Sequence, residues 1–172
     1  MKLRKMMGSV EDIPVVRLMA LIETQSKLTL THWAVEYTTD RYLPMLGQCR
    51  TAKRSAAAVE AVRSHLRGEL PLKEVRPLLS DARKAAQEEQ DPIRQAAARA
   101  LSTACGTLTT PSNALGFAFY GAAAYAYHNA GTEATRELQD DLAREELERI
   151  LGSLQAVAVQ NETNPVRISW NC

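Results

Sequence analysis

The stretch Ala114 to Tyr127 reads ALGFAFYGAAAYAY, fourteen residues without a charge, six of them alanine and two glycine. A bilayer-spanning helix needs about 20 apolar residues, so this segment is too short to cross a membrane and reads as a buried helix. Gly116, Gly121 and Ala122 to Ala124 leave little bulk between its backbone and its neighbours, which permits close packing. Phe117, Phe119, Tyr120, Tyr125 and Tyr127 fill the wider gaps. A chain with such a segment has to surround it with other helices. It is the expected central helix.

The rest of the chain supplies them. Asp12-Ile13-Pro14 is a helix start, since proline in the first turn gives up no hydrogen bond, and Val15, Leu18, Met19 and Ile22 recur on one face. A second helix is expected from Thr31, with Trp33 and Tyr37 inward and Pro44 and Gly47 ending it. Ala52, Ala56, Val59, Val62 and Leu66 mark a third, closed by Gly68. Pro77 interrupts the next, LKEVRPLLSDARKAAQEEQ, which reads as one kinked helix or as a turn leading into a helix. Asp91-Pro92 and Thr110-Pro111 are further starts, the first opening a buried stripe of Ile93, Ala97, Leu101, Ala104 and Leu108.

From Thr132 to Gln160 the sequence is helical, but Leu138 and Leu142 do not align with Leu147, Ile150, Leu154 and Val157. A bend or a break near Ala143 to Glu146 is expected to reconcile the two halves. At the end, NETNPVRISWNC alternates Val166, Ile168 and Trp170 with polar residues, the period of an extended segment with one apolar face. No internal repeat is visible. The prediction is therefore all-α: a compact bundle of about six to eight helices forming a single domain over residues 1–172. Residues 1–11 are expected to be loosely attached or disordered, and residues 161–172 to form an extended tail laid across a helix groove or reaching another chain.

A formal charge of +1 with 24% charged residues provides no global field for holding nucleic acid or an acidic membrane, so partners must be recognised locally. The basic start MKLRK is interrupted by Gly8 to Asp12 before an apolar signal core can form. Cys49, Cys105 and Cys172 are scattered and odd in number, which suits a reducing cytoplasm.

No residue is assigned a catalytic role, and no metal or cofactor is expected. His32, His65 and His128 lack ligand spacing, and there is neither a phosphate-binding glycine loop nor a nucleophile elbow. Cys105 sits in an apolar stripe where thiols are inert. Two features read as partner-binding. Glu133, Glu137, Asp141 and Glu145 form an acidic stripe suited to a basic protein surface, although Arg136, Arg144 and Arg149 neutralise part of it. Arg167 and Trp170 in the tail offer a cation and a large apolar anchor. A pocket between helices near the aromatic segment and His128, serving a small ligand or an enzymatic reaction, is the alternative. Self-association as a homo-oligomer is a third reading.

THWAVEYTTDRYLPML, AAAVEAVRSHLRGEL, the run from ARKAAQEEQDPIRQ to AYHNAG and the closing NPVRISWNC together resemble a bacterial family of putative immunity proteins, the immunity-protein-5-like type. The likeness runs from about Thr29 onward. It implies an all-helical protein that binds a cognate protein toxin of a polymorphic toxin system and neutralises it by occlusion, without turnover. It carries no catalytic residue, and the near-neutral charge departs from the acidic design of a nucleic-acid mimic.

Overall fold

A computed structural model describes residues 3–171, which form seven α-helices and one 3-10 turn, with no strand among the described residues. The helices are α1 (Ile13–Ile22), α2 (Lys27–Tyr42), α3 (Arg50–Leu66), α4 (Leu72–Glu88), α5 (Pro92–Gly106), α6 (Asn113–Ala130) and α7 (Arg136–Val157). The turn Leu43–Leu46 follows α2 directly. The all-α bundle expected from the spacing is the one observed.

Several helix starts use side chains that satisfy otherwise orphaned N–H groups. Ser26 accepts from Thr29 N at 3.2 Å, Asp91 from Arg94 N at 2.9 Å and Thr135 from Leu138 N at 3.3 Å. The Ser26 cap starts α2 at Lys27, four residues before the expected Thr31. Pro77 lies inside a single helix, α4, and Thr110-Pro111 forms a turn two residues ahead of α6.

Across the molecule α4, α5, α6 and α7 follow one another as neighbours; α3 packs on α4 and α5, α2 lies over α5, α6 and α7, and α1 packs on α7. The pair α5–α6 has the most extensive contact, because both present small residues: Ala96, Ala97, Ala98, Ala100 and Ala104 on one helix, Ala114, Ala118 and Ala122 to Ala124 on the other, all buried. The expected central helix α6 thus shares the centre with α5, which also touches α2, α3 and α4. On α3 the buried face is Thr51, Ser55, Ala58, Val59 and Val62 rather than the Ala52–Ala56 line, and Ala56 is exposed. At the start of that face Thr51 Oγ1 donates to Glu89 Oε2 at 2.8 Å.

The expected break in α7 is absent. Gln139, Ala143, Glu146, Leu147, Ile150, Leu151 and Leu154 are buried along an unbroken helix, at the spacing of one continuous face. The apolar pattern drifts because two places in that face hold Gln139 and Glu146, polar residues that find partners inside.

Residues 3–11 lie against α6 and α7. Met7 is buried, its N–H bonds Phe119 O at 3.1 Å, Tyr127 Oη donates to Arg4 O at 2.8 Å, and the Arg4 guanidinium pairs with Asp140. Gly8 permits this path: its φ is +105°, and a Cβ there would lie 2.8 Å from Leu147 Cδ1. Met1, Lys2 and Cys172, on which parts of both terminal expectations fall, lie outside the described residues.

Candidate functional site

The most unusual chemical feature is the carboxylate of Glu146, fully buried in the middle of α7. Burying a charge is costly unless it is paired and hydrogen-bonded, and here four donors converge on it. Oε1 accepts from Tyr37 Oη at 2.8 Å and from Tyr42 Oη at 2.7 Å. Oε2 accepts from Arg41 Nη2 at 2.8 Å and from Arg149 Nη1 at 2.6 Å. Three of these donors come from α2 and one from α7 itself, so Glu146 locks two helices together. Arg41 Nε is buried without a hydrogen-bond partner, so the network is complete around the carboxylate but not around the arginine.

Room for this arrangement comes from α6. A Cβ on Gly121 would lie 2.2 Å from Tyr42 Oη and 2.5 Å from its Cζ, so only glycine lets the fully buried Tyr42 ring reach Glu146. Burial, then the charge of Glu146 and its hydrogen bond, pushes the Tyr37 phenol well above its ordinary value. Burial, then Glu146, does the same for Tyr42. Both therefore stay neutral donors.

Towards the surface the network reaches an aromatic ring. The guanidiniums of Arg41 and Arg149 both lie against Tyr125, 5.5 and 4.9 Å from the ring centroid. Tyr125 Oη and Arg149 Nη2 both donate to Glu145 Oε1, at 3.0 and 2.7 Å. The hydrogen bond from Arg149, then that from Tyr125, lowers the Glu145 carboxyl below its usual range. A buried pin thus orients two half-buried arginines and a half-buried tyrosine beside the exposed Glu145, and arginine and tyrosine are residue types enriched among interface anchors.

Glu133, Glu137, Asp141 and Glu145 are all exposed. Glu137, Asp141 and Glu145 lie along α7, whereas Glu133 precedes its N-cap Thr135 in the turn after α6. Arg144 reaches Asp141 at 3.2 Å and Arg149 reaches Glu145, while Glu133 and Glu137 have no ion-pair partner among the described residues. Charge is segregated along the chain: residues 131–162 hold eight acids and three bases, residues 50–99 seven acids and eleven bases.

The tail does not join that stripe. Gln25, buried at the corner between α1 and α2, clamps Val159 through both ends of its amide, at 2.7 and 3.1 Å, and its carbonyl accepts from Val166 N at 2.8 Å. Val166, Ile168 and Trp170 then pack on the core, and Trp170 Nε1 donates to Glu23 Oε1 at 2.7 Å. The tail docks on its own chain, near the C-terminal end of a helix about 33 Å long, with the acids towards the other end. Arg167 is exposed and Trp170 half-buried.

His128 is exposed at the end of α6, and the space beside Tyr127 is only about 110 Å³. Larger grooves lie elsewhere, one of about 750 Å³ between the α1–α2 corner and residues 158–165 and one of about 670 Å³ along the seam of α1 with α7. Among the described residues no cluster of His, Cys, Asp or Glu could hold a metal ion. No described helix is long and apolar enough to cross a membrane.

Sequence reasoning passes over Glu146, Arg41, Tyr42 and Gln25. The signal for Glu146 lies in the drift itself, a carboxylate occupying a place in α7 where the spacing calls for an apolar residue.

No curated protein and no solved structure matches the chain. A family model described as Imm-5 like putative immunity protein matches residues 20–149, which take in α2 to α6, the Glu146 network and the acidic part of α7. The matched segment ends before the tail, so NPVRISWNC adds nothing to it. With three quarters of its length matched, the chain belongs to the Imm-5 like putative immunity protein family.

Proposed function

We propose that this protein binds a cognate toxin in the cytoplasm and neutralises it by covering its surface, without catalysing any reaction on it. Membership of an immunity protein family supports a toxin as the class of partner. The observation that carries the mechanism is the exposed acidic face of Glu133, Glu137, Asp141 and Glu145, backed by a buried carboxylate that makes α7 a rigid platform. Its complement is a local basic patch on the toxin, whatever that toxin acts on. A stable complex buries about 1,600 Å² in total, more than four carboxylates supply, and the adjacent Arg41–Tyr125–Arg149 cluster provides anchors. In this reading Trp170 serves the fold of its own chain, and Arg167 offers a separate cation outside the main face.

The test is co-expression with the candidate toxins encoded beside its gene. One of them should kill alone and be silenced by the wild-type protein. A Glu133→Lys/Glu137→Lys/Asp141→Lys variant should lose protection while keeping its circular dichroism spectrum. Binding should weaken as salt rises, since exposed charges are screened within about 8 Å at physiological ionic strength. Full protection by that variant would remove the acidic face from the mechanism, and failure against every neighbouring toxin would remove the toxin reading itself.

A further inference from the structure

Even the exposed side of α1 is apolar apart from Arg17. The ten residues of the helix, IPVVRLMALI, include one charge, and only half of its surface is used: Val15, Leu18 and Ile22 are fully buried, whereas Ile13 is 75% and Val16 51% exposed and Ala20 is open to solvent. An apolar helix face is ordinarily buried. Moreover, of the nine large hydrophobic residues exposed on the described chain, six (Met6, Val10, Ile13, Val16, Val157 and Val159) fall outside the family-matched residues 20–149, in the terminal segments. The 130 matched residues expose Leu28, Leu78 and Leu138, whereas the far fewer residues outside them expose twice as many.

We propose that the exposed side of α1 is a self-association surface, on which α1 packs antiparallel against α1 of a second copy about a two-fold axis. The argument for a second copy, rather than a foreign partner, is charge. The seam between α1 and α7 is lined by Glu11, Asp12, Arg17, Arg144 and Glu148, both signs within one groove. Among the described residues Arg144 alone of the bases is paired there, with Asp141, and Glu11, Arg17 and Glu148 make no ion pair. A two-fold interface brings each patch against itself, so it needs both signs in the same patch.

The small Ala20 accommodates the projecting Ile13: centring the antiparallel pair between Val16 and Arg17 sets each Ile13 against the partner's Ala20. The helix is about 15 Å long, too short to bury the roughly 800 Å² per subunit of a standard interface, so the contact extends along the α7 seam and its affinity lies in the micromolar range. This surface is distinct from Glu133, Glu137 and Asp141, which do not line the seam, and the inference stands whether or not the toxin reading does.

Sedimentation equilibrium of the full chain, from about 1 to 100 μM, should show a mass rising to twice the 19.0 kDa of the chain and no further. Ile13→Asp/Val16→Asp should remain at the single-chain mass with an unchanged circular dichroism spectrum, because both side chains already face water. A wild-type chain still monomeric at the highest concentration, a charged variant that still dimerises, or growth beyond the dimer would each overturn the proposal. Val16→Cys, combined with Cys49→Ser and Cys172→Ser, guards against a variant that fails to fold. Mild oxidation should link two copies through the thiol introduced on α1, whereas Leu78→Cys on α4 in the same background should not link. A dimer in which the α1 thiols fail to link would refute the α1 geometry.

Discussion

Replacing Glu146 with leucine removes the acceptor of four hydrogen bonds while keeping the position filled. The cost can be worked donor by donor. Tyr42 Oη is fully buried, and an unsatisfied buried donor costs about 1–3 kcal/mol. Tyr37 is less deeply placed and contributes about 1 kcal/mol. Arg41 and Arg149 are 33% and 38% exposed, so their freed N–H groups regain water and each adds only a few tenths to about 1 kcal/mol. The leucine recovers part of the loss by apolar burial, and the sum is about 3–4 kcal/mol, close to the range for removing one partner of a buried ion pair. Urea unfolding followed by circular dichroism should show that loss, with a melting temperature lower by about 10 °C for a chain of this size. Glu145→Leu, one residue away on the exposed side, is the control and should cost under about 1 kcal/mol. Adding Tyr42→Phe should cost less in the Glu146→Leu background than in the wild type, since its partner is already gone. Equal losses for Glu145→Leu and Glu146→Leu, or a Tyr42→Phe effect that is the same in both backgrounds, would refute the network as the link between α2 and α7.

Gly121→Ala should destabilise the protein by about 2–3 kcal/mol, because its Cβ would overlap the Tyr42 phenol, and Tyr42→Phe should relieve part of that loss; chemical denaturation of the two single variants and the double variant measures both. Stability should fall steeply above about pH 10, where tyrosines of the unfolded chain ionise while burial holds Tyr37, Tyr42 and Tyr127 protonated in the native state. The native state then binds more protons than the unfolded one, so Tyr37 and Tyr42 each lower the unfolding free energy by up to about 1.4 kcal/mol per pH unit above about pH 10, Tyr127 acts in the same direction, and urea midpoints between pH 9 and about pH 11 read the slope. In a Cys172→Ser variant one thiol, Cys49, should react with a disulfide reagent in the native state and two after denaturation, since burial pushes the Cys105 thiol up to about 12. Rapid native labelling of Cys105 would contradict the packing of α5.

Much of the architecture was legible before any coordinates. Helix starts at Asp12-Ile13-Pro14 and Asp91-Pro92, the end at Gly68 and the buried stripe Ala97–Leu101–Ala104 follow from local sterics and spacing, which act within a few residues of chain. The charge-free, small-residue stretch of α6 determined that it would lie inside, and the apolar alternation of Val166, Ile168 and Trp170 determined that the tail would lie against something.

What the tail lies against was decided elsewhere, by Gln25 and Glu23, more than 130 residues away. The same holds for Glu146. In sequence it is one acid among many on a helix with a wandering pattern. Inside, Tyr37, Arg41 and Tyr42 arrive from a helix about a hundred residues earlier, and Gly121 clears the space between. Periodicity reports which residues of one segment share a face, because that depends on backbone geometry alone. Whether a polar group on that face is a flaw or a pin depends on donors supplied by other segments, and only the packed structure brings those together.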